Sequence, residues 1–406
     1  MQQPAFRLQN PADTTALSSA LVDALEGLVS EDFQRQWEAA KQIKRIGAPA
    51  IAPLVELAQD DTIDEDIRWF AARTLGEFDH PQAIAALAKL LNSEEEDLNQ
   101  MAAAALAQIG TSAIHPLSYL LQSEPTRLLA VQALAQIRQR GIISPLLRVV
   151  NDKNPQVRQA AIEALGSFQD PRILPVLRQG LRDPVADIRQ ESVAAIGLRL
   201  QRTARLAAHG SDESHQVGRQ VIACLYDIDL RVCARAALAL GRWGTPEALE
   251  NLAIALEKPD TPELLKVQLI RALGRISVPK AVAAIAGALL SHETTVRQAA
   301  IRTLAMVDPP LQQQATALLS QHLIHQLTAA DKQAIALALA QLKGDGAFEG
   351  IMICLADLDE SVQLHAIAAL KQLDATGSYE VLQRLNQSDS TDPQLKSSVQ
   401  KALSEW

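Results

Sequence analysis

Arginine and tryptophan, rather than nucleophiles or metal ligands, are the residues of this chain whose placement could do chemistry. Arg235, Arg242, Arg271, Arg275 and Arg302 recur along consecutive segments of similar pattern, and Arg199, Arg202 and Arg205 lie just upstream. A guanidinium is a planar fork of donors that pairs with a carboxylate through two hydrogen bonds, so a row of them suits an acidic surface. The same row is also readable as a solvated face. Trp37 and Trp69 hold one equivalent position in adjacent segments, and Phe70, Met101 and Leu129 share the neighbouring one. Trp and Met are enriched at protein-binding surfaces, although two tryptophans so placed can equally plug the seam between neighbouring helices. Trp243 stands where other segments carry Phe78, Phe168, Ile276 and Val307, which marks it as core.

Signatures of catalysis are sparse. His322 and His325 share one predicted helix, and His209 and His215 flank a polar stretch, but no acid or cysteine is spaced to complete a metal site. Cys224, Cys233 and Cys354 show no CxxC spacing and read as small buried residues. There is no Gly-rich phosphate loop after a strand, no nucleophile elbow and no paired acidic constellation. The residues alone therefore imply neither a metal nor a cofactor.

The elements that position these residues are legible in Asn151–Asp183, NDKNPQVRQAAIEALGSFQDPRILPVLRQGLRD. Asn154 is a natural N-cap and Pro155 a natural first helical residue. Val157, Ala161, Ile162, Leu165 and Phe168 recur at helical spacing, and after Asp170-Pro171 so do Ile173, Leu174, Leu177 and Leu181. Neither helix can bury its face alone, so the pair must stack on a similar pair. Aligning the chain on one position near the start of the first helix gives Gln36, Arg68, Asn99, Arg127, Arg158, Arg189, Cys233, Lys266, Arg297, Asp331, Gln363 and Lys396. Successive gaps are roughly 28 to 34 residues, apart from one of 44 between Arg189 and Cys233. The predicted fold is all-α, a right-handed α-solenoid of about eleven or twelve helical pairs.

Residues 1–30 read as a lead and a capping helix over Thr14–Val29, 31–390 as the continuous stack, and 391–406 as a closing helix. The extra length falls in 198–217, whose AHGSDESH reads as a surface loop, either a tolerated insertion or a partner contact and hinge. Offsets +2, +5, +6 and +9 from the aligned residue are predicted to face the groove, which places the arginines, Phe70, Met101 and Leu129 there, with Trp37 and Trp69 at +1 along its edge. A net charge of −9 argues against general nucleic-acid binding. No apolar run approaches the ~20 residues of a membrane span, and the first residues lack a secretory pattern. A soluble cytoplasmic protein is expected.

The recurring V/I-R-x-x-A-A-x-x-L-G, followed by P-x-A/I-x-x-x-L, is explicit in IRWFAARTLGEFDHPQAIAALAKLL (67–91), VRQAAIEALGSFQDPRILPVL (157–177) and LKVQLIRALGRISVPKAVAAIAGALL (265–290). It resembles the HEAT family, specifically the phycobilisome-lyase-type HEAT-like repeat, over about residues 31 to 390. The resemblance implies that the Arg-bearing helix lines the concave side. It also implies that Arg, with an Asp of the preceding turn (Asp152, Asp187), forms a ladder between units. Some members of this class are subunits of bilin lyases acting on phycobiliproteins, and deoxyhypusine hydroxylase belongs to the broader class. The hydroxylase's iron site uses several His-Glu dipeptides, whereas this chain has only His292-Glu293.

The expected function is a non-catalytic scaffold that grips a folded protein partner in its groove. Trp37, Trp69, Phe70, Met101 and Leu129 would be its apolar anchors, and Arg235, Arg242, Arg271, Arg275 and Arg302 its acidic-surface contacts. The resemblance places that partner in the antenna or cofactor-assembly machinery of a cyanobacterium, a phycobiliprotein subunit for example. The alternative it carries is a bilin lyase subunit whose groove holds a tetrapyrrole by its propionates.

Overall fold

Asn154 accepts a hydrogen bond from the Gln156 N–H at 2.9 Å, and Pro155 opens the helix it caps. Asp32, Asp64, Asp229, Thr245, Asp359 and Asp392 cap other helices in the same way. Each such side chain satisfies one or two of the orphan N–H groups of a first turn.

The computed structural model describes residues 19–206, 212–323, 327–388 and 392–406. Among these residues there is no strand, and no helix is long and apolar enough to cross a membrane. The chain forms two compact units, Met1–Gly180 and Leu181–Trp406.

The first unit begins with α1 (Ser19–Leu28), α2 (Phe33–Ile46), α3 (Ile51–Gln59), α4 (Glu65–Leu75) and α5 (Pro81–Leu90). It continues with α6 (Glu96–Ile109), α7 (Ile114–Leu120), α8 (Glu124–Ile137), α9 (Ile143–Leu147), α10 (Pro155–Gly166) and α11 (Ile173–Gly180). The second unit opens with α12 (Ala186–Leu206), α13 (Asp212–Ala223), α14 (Leu230–Trp243), α15 (Pro246–Glu257), α16 (Glu263–Leu273) and α17 (Pro279–Gly287). Then come α18 (Thr294–Leu304), α19 (Gln312–His322), α20 (Ala329–Leu342), α21 (Ala347–Leu355), α22 (Glu360–Gln387) and α23 (Pro393–Ser404). Asp374, at φ −160° and ψ 100°, divides α22 into two helices, so the final pair lies within it. Even-numbered helices from α2 to α22 are the first members of the pairs, and each unit is a stack of such pairs.

Small residues let the first helices approach closely. Gly76, Gly197 and Gly241 occupy one equivalent position, eight residues after the aligned one, and a methyl group there would collide with the next helix. It would stand 2.8 Å from the Ala105 Cβ, 2.7 Å from the Ala239 Cβ and 2.6 Å from the Ala272 carbonyl oxygen, respectively. Ala105, Ala239 and Ala272 all lie at offset +6, and all three are buried. That offset therefore belongs to the seam between neighbouring helices and not to the groove predicted from the sequence.

The ladder is present, with two changes of register. Arg127, Arg189 and Arg297 donate to the carbonyls of Leu121, Asp183 and Ser291, each six residues back. They also reach acids of the following turn or helix, Asp152 at 2.8 Å, Asp227 at 2.7 Å and Asp331 at 2.8 Å. Arg68 does the same with Glu95 at 2.7 Å. Asp331, aligned in the sequence as a ladder base, is instead the buried acceptor, and Lys332 beside it reaches Asp357. Asp187 is no turn acid either, because it pairs with Arg231 at the surface.

The extra length at 198–217 is carried largely by helix. α12 runs through Leu206 and α13 starts at Asp212, so residues 212–215 of the expected AHGSDESH loop are helical, while its residues 208–211 lie outside the described ones. The capping helix expected from Thr14 is seen from Ser19, residues 1–18 being outside the described ones. α23 closes the second unit, and Trp406 after it packs against Tyr379 with ring centroids 5.8 Å apart.

Candidate protein-binding face

α14, α16 and α18 are consecutive first helices of the second unit, and α16 packs against both of its neighbours. Helices stacked side by side bring equal offsets into rows across the stack. Arg235 lies at offset +2, Arg271 and Arg302 at +5, and Arg242 and Arg275 at +9. Four of these are exposed, while Arg235 is half-buried. None of the five forms an ion pair among the described residues. The ladder cations Lys266 and Arg297, on α16 and α18, and Arg189 on α12 are all paired. α14 and α18 carry no acidic residue, and Glu263 of α16 is engaged by the Thr295 hydroxyl. The face thus holds a surplus of fixed positive charge on a chain of net charge −9. Met306, also at +9 and 79% exposed, adds one apolar contact that the sequence reading missed.

The N-terminal apolar residues are brought together only in part. Phe33, 63% exposed, stacks on Trp37 with centroids 6.2 Å apart and meets the edge of Phe70 at 5.4 Å. Trp69 stands edge-on to Phe70 at 5.1 Å. Phe70 itself is only 2% exposed, which corrects its expected place in the groove: it is the floor on which Phe33 and Trp69 rest. Trp37 is half-buried under the Arg73 guanidinium, 4.0 Å from the ring centroid, so it fills the α2–α4 seam as a cation–π partner. Trp69, Met101 and Leu129 are half-buried. Phe33 escaped notice because it precedes the aligned residue and lies outside the offsets assigned to the groove.

Among the described residues, those suited to bond-making are not brought together. Burial pushes the Cys224 thiol up to about 11 and the Cys354 thiol up to about 12, so both are neutral and unreactive at pH 7. Among the described residues no three His, Cys, Asp or Glu side chains are grouped to hold a metal ion. His322 is buried at the end of α19, whereas His325 and His209 lie outside the described residues. Trp243 is core as expected, 4% exposed, with its ring against Gly218. A separate feature of the first unit is an open cleft of about 880 Å³ between α8 and α10, lined mainly by polar side chains.

Comparison with known proteins agrees with this architecture. The HEAT repeat model matches residues 62–126, 114–197 and 253–340, more than half of the chain. No match is found among curated proteins. Among solved structures, Kap95p, studied with RanGDP, is similar at TM-score 0.63 and 13% identity, over 95% of this chain and 60% of Kap95p. Kap121p is similar at TM-score 0.61 and 15% identity, over 97% of this chain and 49% of its own. Importin beta gives TM-score 0.55 at 12% identity, over 95% of this chain and 61% of its own. The chain thus spans only about half to three-fifths of these proteins, and at such identities the likeness is one of fold. With the ladder and the Gly–Ala seams built on the same repeat, the chain belongs to the HEAT repeat family.

Proposed function

We propose that the protein is an interaction scaffold that holds an acidic protein surface against the arginine face of α14, α16 and α18. The observation that carries this reading is the set of guanidiniums at Arg235, Arg242, Arg271, Arg275 and Arg302, unpaired among the described residues. Neighbouring like charges repel one another, and bound carboxylates relieve that repulsion while steering encounter. Each guanidinium can take a carboxylate through two parallel hydrogen bonds, which fixes orientation as well as supplying attraction. Two similar solenoids are described with a protein partner, Kap95p with RanGDP and Kap121p bound to Ste12p, which supports a binding role of this kind.

The partner proposed for the first test is an acidic phycobiliprotein subunit, following the resemblance of the repeats to the phycobilisome-lyase type. Trp69, Met101, Leu129 and the edge of Trp37 are proposed as apolar contacts of the first unit, with Phe70 holding them from beneath. The test is binding of a purified phycobiliprotein subunit to the wild type and to the double variant Arg271→Glu/Arg275→Glu. Both side chains are exposed and unpaired, so the fold should be retained. The expected result is at least a tenfold loss of affinity in the variant, together with a weaker salt dependence. Equal binding by both proteins would remove the arginine face from the account. Free bilin whose absorbance shifts with the wild type and not the variant would assign the same arginines to tetrapyrrole propionates.

A further inference from the structure

The seam between α8 and α10 is built unlike the closed ones. Where Gly76, Gly197 and Gly241 press against a buried alanine of the next helix, this seam has Ala135 facing Ala164, and both are half-exposed on the wall of the open cleft. Into the gap turn Gln132 and Gln136 from α8, and Gln156 and Gln159 from α10. None of these four carboxamides is hydrogen-bonded among the described residues. Glu163 and Arg138 are the only charged residues of the lining.

We infer that this cleft binds an extended polypeptide segment by its main chain. A carboxamide carries both a donor and an acceptor, which is what a peptide group presents in mirror image. A row of amides therefore suits a strand-like backbone better than it suits a phosphate or a carboxylate, which need donors only. The spacing agrees. Residues four apart on a helix are separated by about 6 Å along the axis. Two residues of an extended chain advance about 6.6 Å. Gln132 and Gln136 on one wall, and Gln159 and Glu163 on the other, can thus each meet alternate peptide groups on one edge of the segment. From Gln156 to Ser167 the cleft wall rises about 16 Å, room for roughly five extended residues. With one acid and one base in its lining, the site favours a segment of little net charge. This surface lies wholly within the first unit and owes nothing to the arginine face.

The experiment is selection of random heptapeptides displayed on phage against the full-length protein. Fluorescence anisotropy then follows a selected peptide and the same peptide N-methylated at alternate residues. The expected result is a peptide whose affinity falls at least tenfold on N-methylation and at least tenfold with Gln132→Ala/Gln159→Ala. Its binding should be unmoved by Arg271→Glu/Arg275→Glu. Melting curves confirm that each variant is folded, and a single Gln159→Leu replaces the double variant if that one melts early. The inference is overturned if no peptide is enriched on the wild type over the glutamine variant. It is equally overturned if the selected peptides tolerate N-methylation, or if their binding follows the arginines. Those outcomes leave the acidic-partner reading standing, and loss of that reading leaves this one standing.

Discussion

Arg297 and Asp331 show how one pair ties a repeat to the next. Arg297 donates to the Asp331 carboxylate at 2.8 Å and to the carbonyls of Ser291 and His292 at 2.9 and 3.0 Å. Burial pushes the Asp331 carboxyl up, but hydrogen bonds from Thr328, Arg297 and Gln298 outweigh it and hold the group below its ordinary value. Removing the acid strands a guanidinium that is 12% exposed, so Asp331→Ala should destabilise the protein by roughly 3–5 kcal/mol, read from denaturant melts at pH 7. Asp227, held low by the Arg189 guanidinium, follows the same rule. A carboxyl whose folded value lies below its unfolded one, about 3.9, stabilises the fold above that pH and ceases to do so as pH falls through the folded value. Melting temperature should therefore drop steeply below about pH 4, and Asp331→Asn should flatten that drop while starting from a lower plateau. The arginine side of the ladder was legible from its recurrence. Its acid partners were legible only in part: Asp152 was read as a ladder acid, and Asp227 stands likewise six residues before its own aligned residue, but Asp331 is itself an aligned residue and only the fold brings it to Arg297.

At the scale of elements, glycine and alanine set how closely helices stack. Gly241→Ala would place a methyl 2.6 Å from the Ala272 carbonyl oxygen and 2.9 Å from its Cα, both backbone atoms that cannot turn aside. A loss of about 1–3 kcal/mol is expected, with faster amide exchange concentrated in α14 and α16 because each repeat leans on its neighbours. Gly287 is the control, since it is helical and a methyl there meets nothing within 4 Å. Gly287→Ala should raise stability by about 0.4–1 kcal/mol. The helices themselves were readable from apolar period, caps and N-terminal prolines, and Trp243 fell in the core for the same reason. Offset +6 was misassigned because an alanine pressed into a neighbouring helix and an alanine facing solvent look alike in a single sequence. Phe70 was misplaced by the mirror-image problem: Phe33, from the preceding repeat, covers a position that in other repeats stays half-open.

For the whole molecule, the repeat period was enough to give the fold, because about a dozen aligned copies leave one architecture that can bury their faces. Function was less legible, for a physical reason. The residues that fold the chain satisfy one another inside it, whereas Arg235, Arg242, Arg271, Arg275 and Arg302 are conspicuous for having no partner among the described residues. Only the fold separates an arginine engaged in the ladder from one left over. On a protein of net charge −9, that surplus is the directed feature of the surface. The most direct measurement is affinity capture from native cell extract by the wild type and by Arg271→Glu/Arg275→Glu in parallel. Each is eluted with a salt gradient, and the proteins are identified by mass spectrometry. One acidic protein in stoichiometric amount, retained by the wild type, released by salt and missing from the variant, is the expected result. The same proteins in the same amounts on both columns would contradict the account.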